Sequence, residues 1–275
     1  MSTSAVAGLV AGLVSAAVFG VAAVVQAAAV RDFDTQQPGL AGFVRRSVRD
    51  ARTMLVVAAY LLGFVLHAVA IWLLPLYLAQ ALVAMSLPVT ALASRRVESA
   101  LSRRGWTAVA LVTGGLVLLS LGAGEPGTID VDGRFAAAVW GGVLVLGVAT
   151  VTARRLSGPV LGLVAGLGYA GSAIATRGIA LPVDVVVVVV ALAVPSLSVL
   201  AFYLYSLGME RAAVPATSAS LVVAQTFVPS AVGVAFLGDG VRDGWWPAVV
   251  AGLLLAMLGA SVLGAEVRTD GPAPE

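Results

Sequence analysis

Nine apolar runs, each parted from the next by a short polar or Arg-bearing segment, set the rhythm of this chain. They cover about Ser4–Val30, Thr53–Leu74, Leu76–Ser94, Trp106–Leu121, Phe135–Thr152, Val160–Ala180, Val183–Leu207, Ala213–Leu237 and Trp246–Leu263. A helix needs about 20 mostly apolar residues to cross the hydrocarbon core of a bilayer, and these runs meet or approach that length. They lack the strict alternation of a membrane barrel strand. Val185–Val190 is β-branched and alone would read as a strand, but it lies within a run of spanning length, where backbone polar groups must be satisfied inside the segment. The expected fold class is all-α, a polytopic membrane protein with nine transmembrane helices. The first run has no basic leader and is longer than the apolar core of a signal peptide, so it is expected to be a span and not a cleaved leader.

Composition agrees. The chain is 60% hydrophobic and 11% charged, with mean hydropathy +1.03, too little polar surface for a soluble domain of this length. The net charge is +2 and all 16 basic residues are Arg, nearly all in short segments between spans, where membrane topology and not an anionic partner accounts for them. Thirteen (Arg31, Arg45, Arg46, Arg49, Arg52, Arg95, Arg96, Arg103, Arg104, Arg154, Arg155, Arg211 and Arg268) follow odd-numbered spans or the last one, against Arg134, Arg177 and Arg242 on the other side. The positive-inside rule then predicts an N-terminus outside and a C-terminus in the cytoplasm, in a multi-pass protein of the plasma membrane. The bilayer is the expected partner and nucleic acid is not. Trp106, Trp140, Trp245 and Trp246 stand near span starts, as interfacial anchors do. With no cysteine, disulfides, thiolate catalysis and Cys-ligated metals are excluded.

GLVAGL occurs at Gly8–Leu13 and again at Gly162–Leu167. A shift of 154 pairs Gly8 with Gly162, Gly12 with Gly166 and Ala16 with Ala170; farther on, a shift of about 140 pairs Pro75 with Pro215, Pro88 with Pro229 and Gly105-Trp106 with Gly244-Trp245. Matches in the same order predict that spans one to four resemble spans six to nine. Five spans separate the equivalents, so the repeat is inverted, an arrangement common in secondary transporters. The expected organisation is a first four-helix repeat over 1–122 with a cytoplasmic insertion at 31–52, a linking helix at 134–153, a second repeat over 158–265 and a disordered tail at 266–275. Small residues four apart make a flat helix face. Gly252, Ala256, Ala260 and Gly264 form another such ladder, read as a helix-packing face or a homodimer contact.

The stretches GFVLHAVAIWLLPLYLAQALVAMSLPVTAL and LAFYLYSLGMERAAVPATSASLVVAQTFVPSAVGVAFLGDG resemble the drug/metabolite transporter (DMT) superfamily of EamA-like permeases, especially a NIPA-type actinobacterial branch. The resemblance implies transport by alternating access, and for NIPA-type members it raises magnesium as a cargo. Asp239, in FLGDG, falls where many members carry Glu at the end of the penultimate helix; the first half departs from that pattern, reading ALASRRVES.

Candidate chemistry is sparse. No Asp, Glu or Arg lies well inside a span, which disfavours a carboxylate-based divalent-cation site, and no metal ligand set, cofactor or nucleotide motif is identified. A membrane enzyme would need a nucleophile and base or a metal cluster, so enzymatic activity is not expected. His67, the single histidine, reads either as a cavity group or as a neutral imidazole bonded to a neighbouring helix. Gln80 and Ser86 precede Pro88, and Gln225 and Thr226 precede Pro229; helices interrupted at matched places point to a transporter site, while interhelical bonding with an ordinary proline kink is the plain alternative. Tyr169, with Ser172, Tyr203 and Tyr205, would add an aromatic wall or simple packing. Arg177 would attract an anionic group or snorkel to the headgroups. These residues predict a permease for a small neutral or zwitterionic metabolite, with a divalent-cation transporter and a non-transporting membrane scaffold as the alternatives.

Overall fold

The computed structural model describes residues 3–31, 42, 45, 48–94, 102–212 and 214–266. Most of the 31–52 insertion and the tail beyond 266 therefore lie outside the described residues. What is described is helical: α1 (Thr3–Arg31), α2 (Ala51–Leu73), α3 (Leu76–Ala84), α4 (Ser86–Ser94), α5 (Arg103–Gly122), α6 (Gly133–Thr152), α7 (Gly158–Arg177), α8 (Val185–Arg211), α9 (Val214–Phe236) and α10 (Trp246–Glu266), with a short 3-10 turn at Ala153–Arg155. Of these, α1, α2, α5, α6, α7 and α8 are long and apolar enough to cross a membrane, and their exposed faces carry Val, Leu and Trp side chains. The chain has the helical make-up of a membrane-embedded protein.

Helix starts follow local chemistry. Asp50, Ser102, Asp132 and Asp184 each accept a hydrogen bond from a backbone N–H in the first turn of α2, α5, α6 and α8, satisfying donors that have no partner within the helix. Asp50 also accepts from the Thr53 hydroxyl at 2.6 Å; that bond, with the one from the Thr53 amide, holds its carboxyl below the usual carboxylate range.

The apolar run expected as one third span is two helices. Pro88 has no N–H and its ring crowds the carbonyl four residues earlier, which is that of Ala84, the last residue of α3. Met85 keeps helical dihedrals but interrupts the hydrogen-bond ladder, and Ser86 begins α4. The matched interruption expected at Pro229 does not occur: α9 runs through it from Val214 to Phe236. A proline forfeits a single backbone bond, and within a packed bundle a helix can continue past it.

Packing partners recur in pairs. α1 lies against α2 and against α3 and α4, and α7 lies against α8 and α9. α1 also meets α8, and α2 meets α7; α3 lies against α9, and α5 against α10. α6 rests on α8 and α7. The two GLVAGL helices are seated alike. A Cβ on Gly12 would strike the Leu82 side chain of α3, and one on Gly166 would strike the Leu221 carbonyl and Ala224 of α9, so each glycine permits a close helix crossing. Gly252 and Ala256 press against Gly115 of α5 within the same chain. That leaves Ala260 and Gly264, whose surroundings are not described, as the remainder of the ladder read as a packing or dimer face.

Candidate functional site

In the last third of α2, His67 turns inward and meets Gln80 of α3, with Gln80 Nε2 and His67 Nε2 3.1 Å apart. The Gln80 backbone carbonyl accepts from the Thr226 hydroxyl of α9 at 3.4 Å, and the Ser230 hydroxyl donates to the Thr226 backbone carbonyl at 2.5 Å. Three helices thus share one buried polar chain. All three side chains are buried, and His67 Nδ1 has no hydrogen-bond partner among the described residues. An amide –NH₂ can only donate, so His67 Nε2 either accepts from it or, with the amide turned over, donates to the amide oxygen. Either way Nδ1 is left over, as a donor or as an acceptor. Phe19 of α1 stands edge-on to the imidazole, its ring centroid 6.4 Å away.

The other residues singled out from sequence divide. Ser86 is buried, and its carbonyl accepts from the Thr90 hydroxyl at 2.8 Å, which also reaches the Gly20 carbonyl of α1. Gln225 is buried beside Thr226 on α9. Tyr169 of α7 is partly buried against the apolar core, and Ser172 bonds Ser198 at 3.1 Å. Among the described residues, hydrogen bonds do not join Gln225, Ser86 or Tyr169 to the His67–Gln80–Thr226 chain.

Two further clusters lie above and below it along α2. Toward the C-terminal end of α2, Arg177 and Asp239 form an ion pair, Nη2 to Oδ1 at 2.8 Å, with side chains only 5% and 0% exposed. Arg177 also donates to the Ile71 carbonyl at 2.6 Å and the Leu74 carbonyl at 3.1 Å. Asp239 accepts from the backbone amides of Leu76 at 2.6 Å and Gly127 at 2.9 Å. The Tyr77 hydroxyl shares its one hydrogen between the Gly240 and Gly122 carbonyls, and Ala123 pairs with Val241 as an antiparallel bridge. Such partners make a buried charge pair tolerable. Toward the N-terminal end of α2, the Tyr60 hydroxyl donates to Gln26 Oε1 at 2.7 Å, and Gln26 Nε2 donates to the Ser206 hydroxyl of α8 at 2.7 Å. Tyr60 also packs edge-on against Phe202 and near Phe19.

From sequence, Arg177 stands as a group that attracts an anion or snorkels to the headgroups, and Asp239, separately, as a position the family resemblance picks out. Opposite charges at the ends of two apolar runs were the available signal for their pairing. Gln26 and Tyr60 were missed; an amide late in an apolar run is a signal of the same kind.

No protein-family model, curated protein or solved structure matches the chain. The site is therefore read from its own chemistry: amide, hydroxyl and imidazole groups, aromatic edges, and one ion pair set at the end of the bundle. Among the described residues no three of His, Asp and Glu come together as metal ligands would.

Proposed function

We propose that this protein is a membrane carrier for a small neutral or zwitterionic metabolite, working by alternating access. In this reading nine spans form two inverted four-helix repeats with α6 as the linking helix, and α3 with α4 makes a single broken span. The N-terminus faces outward and the C-terminus the cytoplasm of the plasma membrane, as the Arg distribution favours.

The observation that carries the reading is the exchange of helix partners. Replacing α1, α2 and α3 by α7, α8 and α9 turns the contact of α1 with α8 into that of α7 with α2, and maps the α3–α9 contact onto itself. Bundles related in this way can rock about a common centre, and transporter sites lie at such repeat interfaces. Gln80 and Thr226 belong to that self-mapped pair of helices, and His67 joins them from α2. Their groups donate and accept without carrying formal charge, which suits a neutral or zwitterionic ligand held by directional bonds.

The test is flux in liposomes. Purified protein is screened against a panel of amino acids, sugars, nucleosides and polyamines in both directions. Saturable uptake of one class that Gln80→Leu lowers about tenfold supports the carrier; no flux of any member in either direction favours a non-transporting scaffold.

A further inference from the structure

Along α2 the polar groups come in a fixed order: Tyr60, bonded to Gln26 and through it to Ser206; His67, bonded to Gln80; then Ile71 and Leu74, whose carbonyls hold Arg177. At 1.5 Å per residue, His67 stands about 10 Å above Tyr60 and about 6 Å below Ile71. The candidate site is thus bracketed by two polar clusters, one toward each end of the bundle.

The brackets are counterparts. Arg177, the last residue of α7, reaches across to the end of α2, and Gln26, late in α1, reaches across to Ser206 late in α8. Exchanging α1 with α7 and α2 with α8 turns one contact into the other. Each cluster also ties together helices that the proposed repeat assigns to opposite bundles.

We propose that these clusters are the two gates of the carrier: Arg177–Asp239 with its backbone partners closes the outer end, and Gln26–Tyr60–Ser206 closes the inner end. The assignment rests on the carrier reading. Polar closure suits a gate that must open into water. When the ends part, carbonyls, amides and charges exchange protein partners for water, whereas a purely apolar closure would expose hydrocarbon at every opening. The outer cluster draws on α2, α3, α7 and the segments joining α5 to α6 and α9 to α10, so loss of the one ion pair frees several elements together.

The chain has no cysteine, so single cysteines report accessibility without background. Ala173→Cys, one turn inside Arg177, and Ala22→Cys, one turn inside Gln26, are both at buried positions. Each is labelled with a membrane-impermeant maleimide, the first in right-side-out and the second in inside-out membrane vesicles. In a two-state cycle, opening one end depletes the state open at the other. Asp239→Asn should raise labelling at Ala173→Cys and lower it at Ala22→Cys, each about tenfold, and Gln26→Leu should do the reverse. As a variant that leaves the ion pair intact, Ala123→Cys with Val241→Cys places two thiols across the antiparallel bridge. Once oxidised, it should bring labelling at Ala173→Cys to background while Ala22→Cys still reacts, read peptide by peptide by mass spectrometry.

Changes confined to the end that was altered, or labelling at Ala173→Cys that persists in the oxidised protein, would overturn the gates and make both clusters static staples. Reciprocal labelling in a protein that moves no member of the metabolite panel upholds the gates and removes the carrier; flux without reciprocity does the opposite.

Discussion

Asp239 and Arg177 meet 2.8 Å apart at the end of the bundle, both almost wholly buried, although 62 residues separate them in the chain. Removing the carboxylate would leave the guanidinium dry and unpaired, which costs about 3 kcal/mol or more. Asp239→Leu is therefore expected to lower the unfolding midpoint in detergent well below wild type. The double variant Arg177→Met, Asp239→Leu should recover much of the loss, and thermal scans of the three proteins side by side measure it.

The His67–Gln80 bond gives a second expectation. Gln80→Leu and His67→Leu each remove a polar group from the chain that Thr226 completes, without adding bulk at the helix crossing. Losing one directional bond to a ligand costs about 1.4 kcal/mol, or about tenfold in affinity. Transport should fall by about that factor while membrane insertion is unchanged. Gln225→Leu, on the same helix as Thr226, separates a direct contact from a neighbour: unaltered affinity there confines the site to the His67–Gln80–Thr226 chain.

Glycine positions provide an internal control for packing. Gly166→Val would drive a side chain into the Leu221 carbonyl, and Gly115→Val into that of Gly252; both should abolish monodisperse protein in gel filtration. Gly142→Ala meets nothing within 4 Å and replaces a poor helix former by a good one, so it should be neutral or stabilising by up to about 1 kcal/mol.

Topology can be checked at the connections. Cysteines at Asp130, between α5 and α6, and at Arg155, between α6 and α7, flank a single helix, and both positions are exposed. In intact cells an impermeant maleimide should label the first and not the second; the opposite pattern would invert the orientation proposed from the Arg distribution.

Much of this architecture was legible because burial in a bilayer leaves a coarse mark. Runs such as Val183–Leu207 need only be apolar and long to be found, and α8 spans Val185–Arg211. The break in the third span was half legible. Pro88 announced it, but the same residue type at Pro229 leaves α9 continuous, because the outcome depends on neighbouring helices that no local pattern encodes. Gln80, Thr226 and His67 were found as polar exceptions in apolar runs, and their joining needed three helices in register. The Arg177–Asp239 pair was hidden for the same reason: each charge sits at a run's end, where solvent is the ordinary expectation, and only the docking of two loops removes it.

The joint at Met85 has a mechanical consequence. α3 and α4 meet there at an articulation, while α9 on the other side of the shared polar chain is one unbroken rod. Bending of the interior would concentrate in the articulated segment, so Gln80 could swing while Thr226 keeps its height. A cargo held between them would then be gripped by one moving jaw and one fixed jaw.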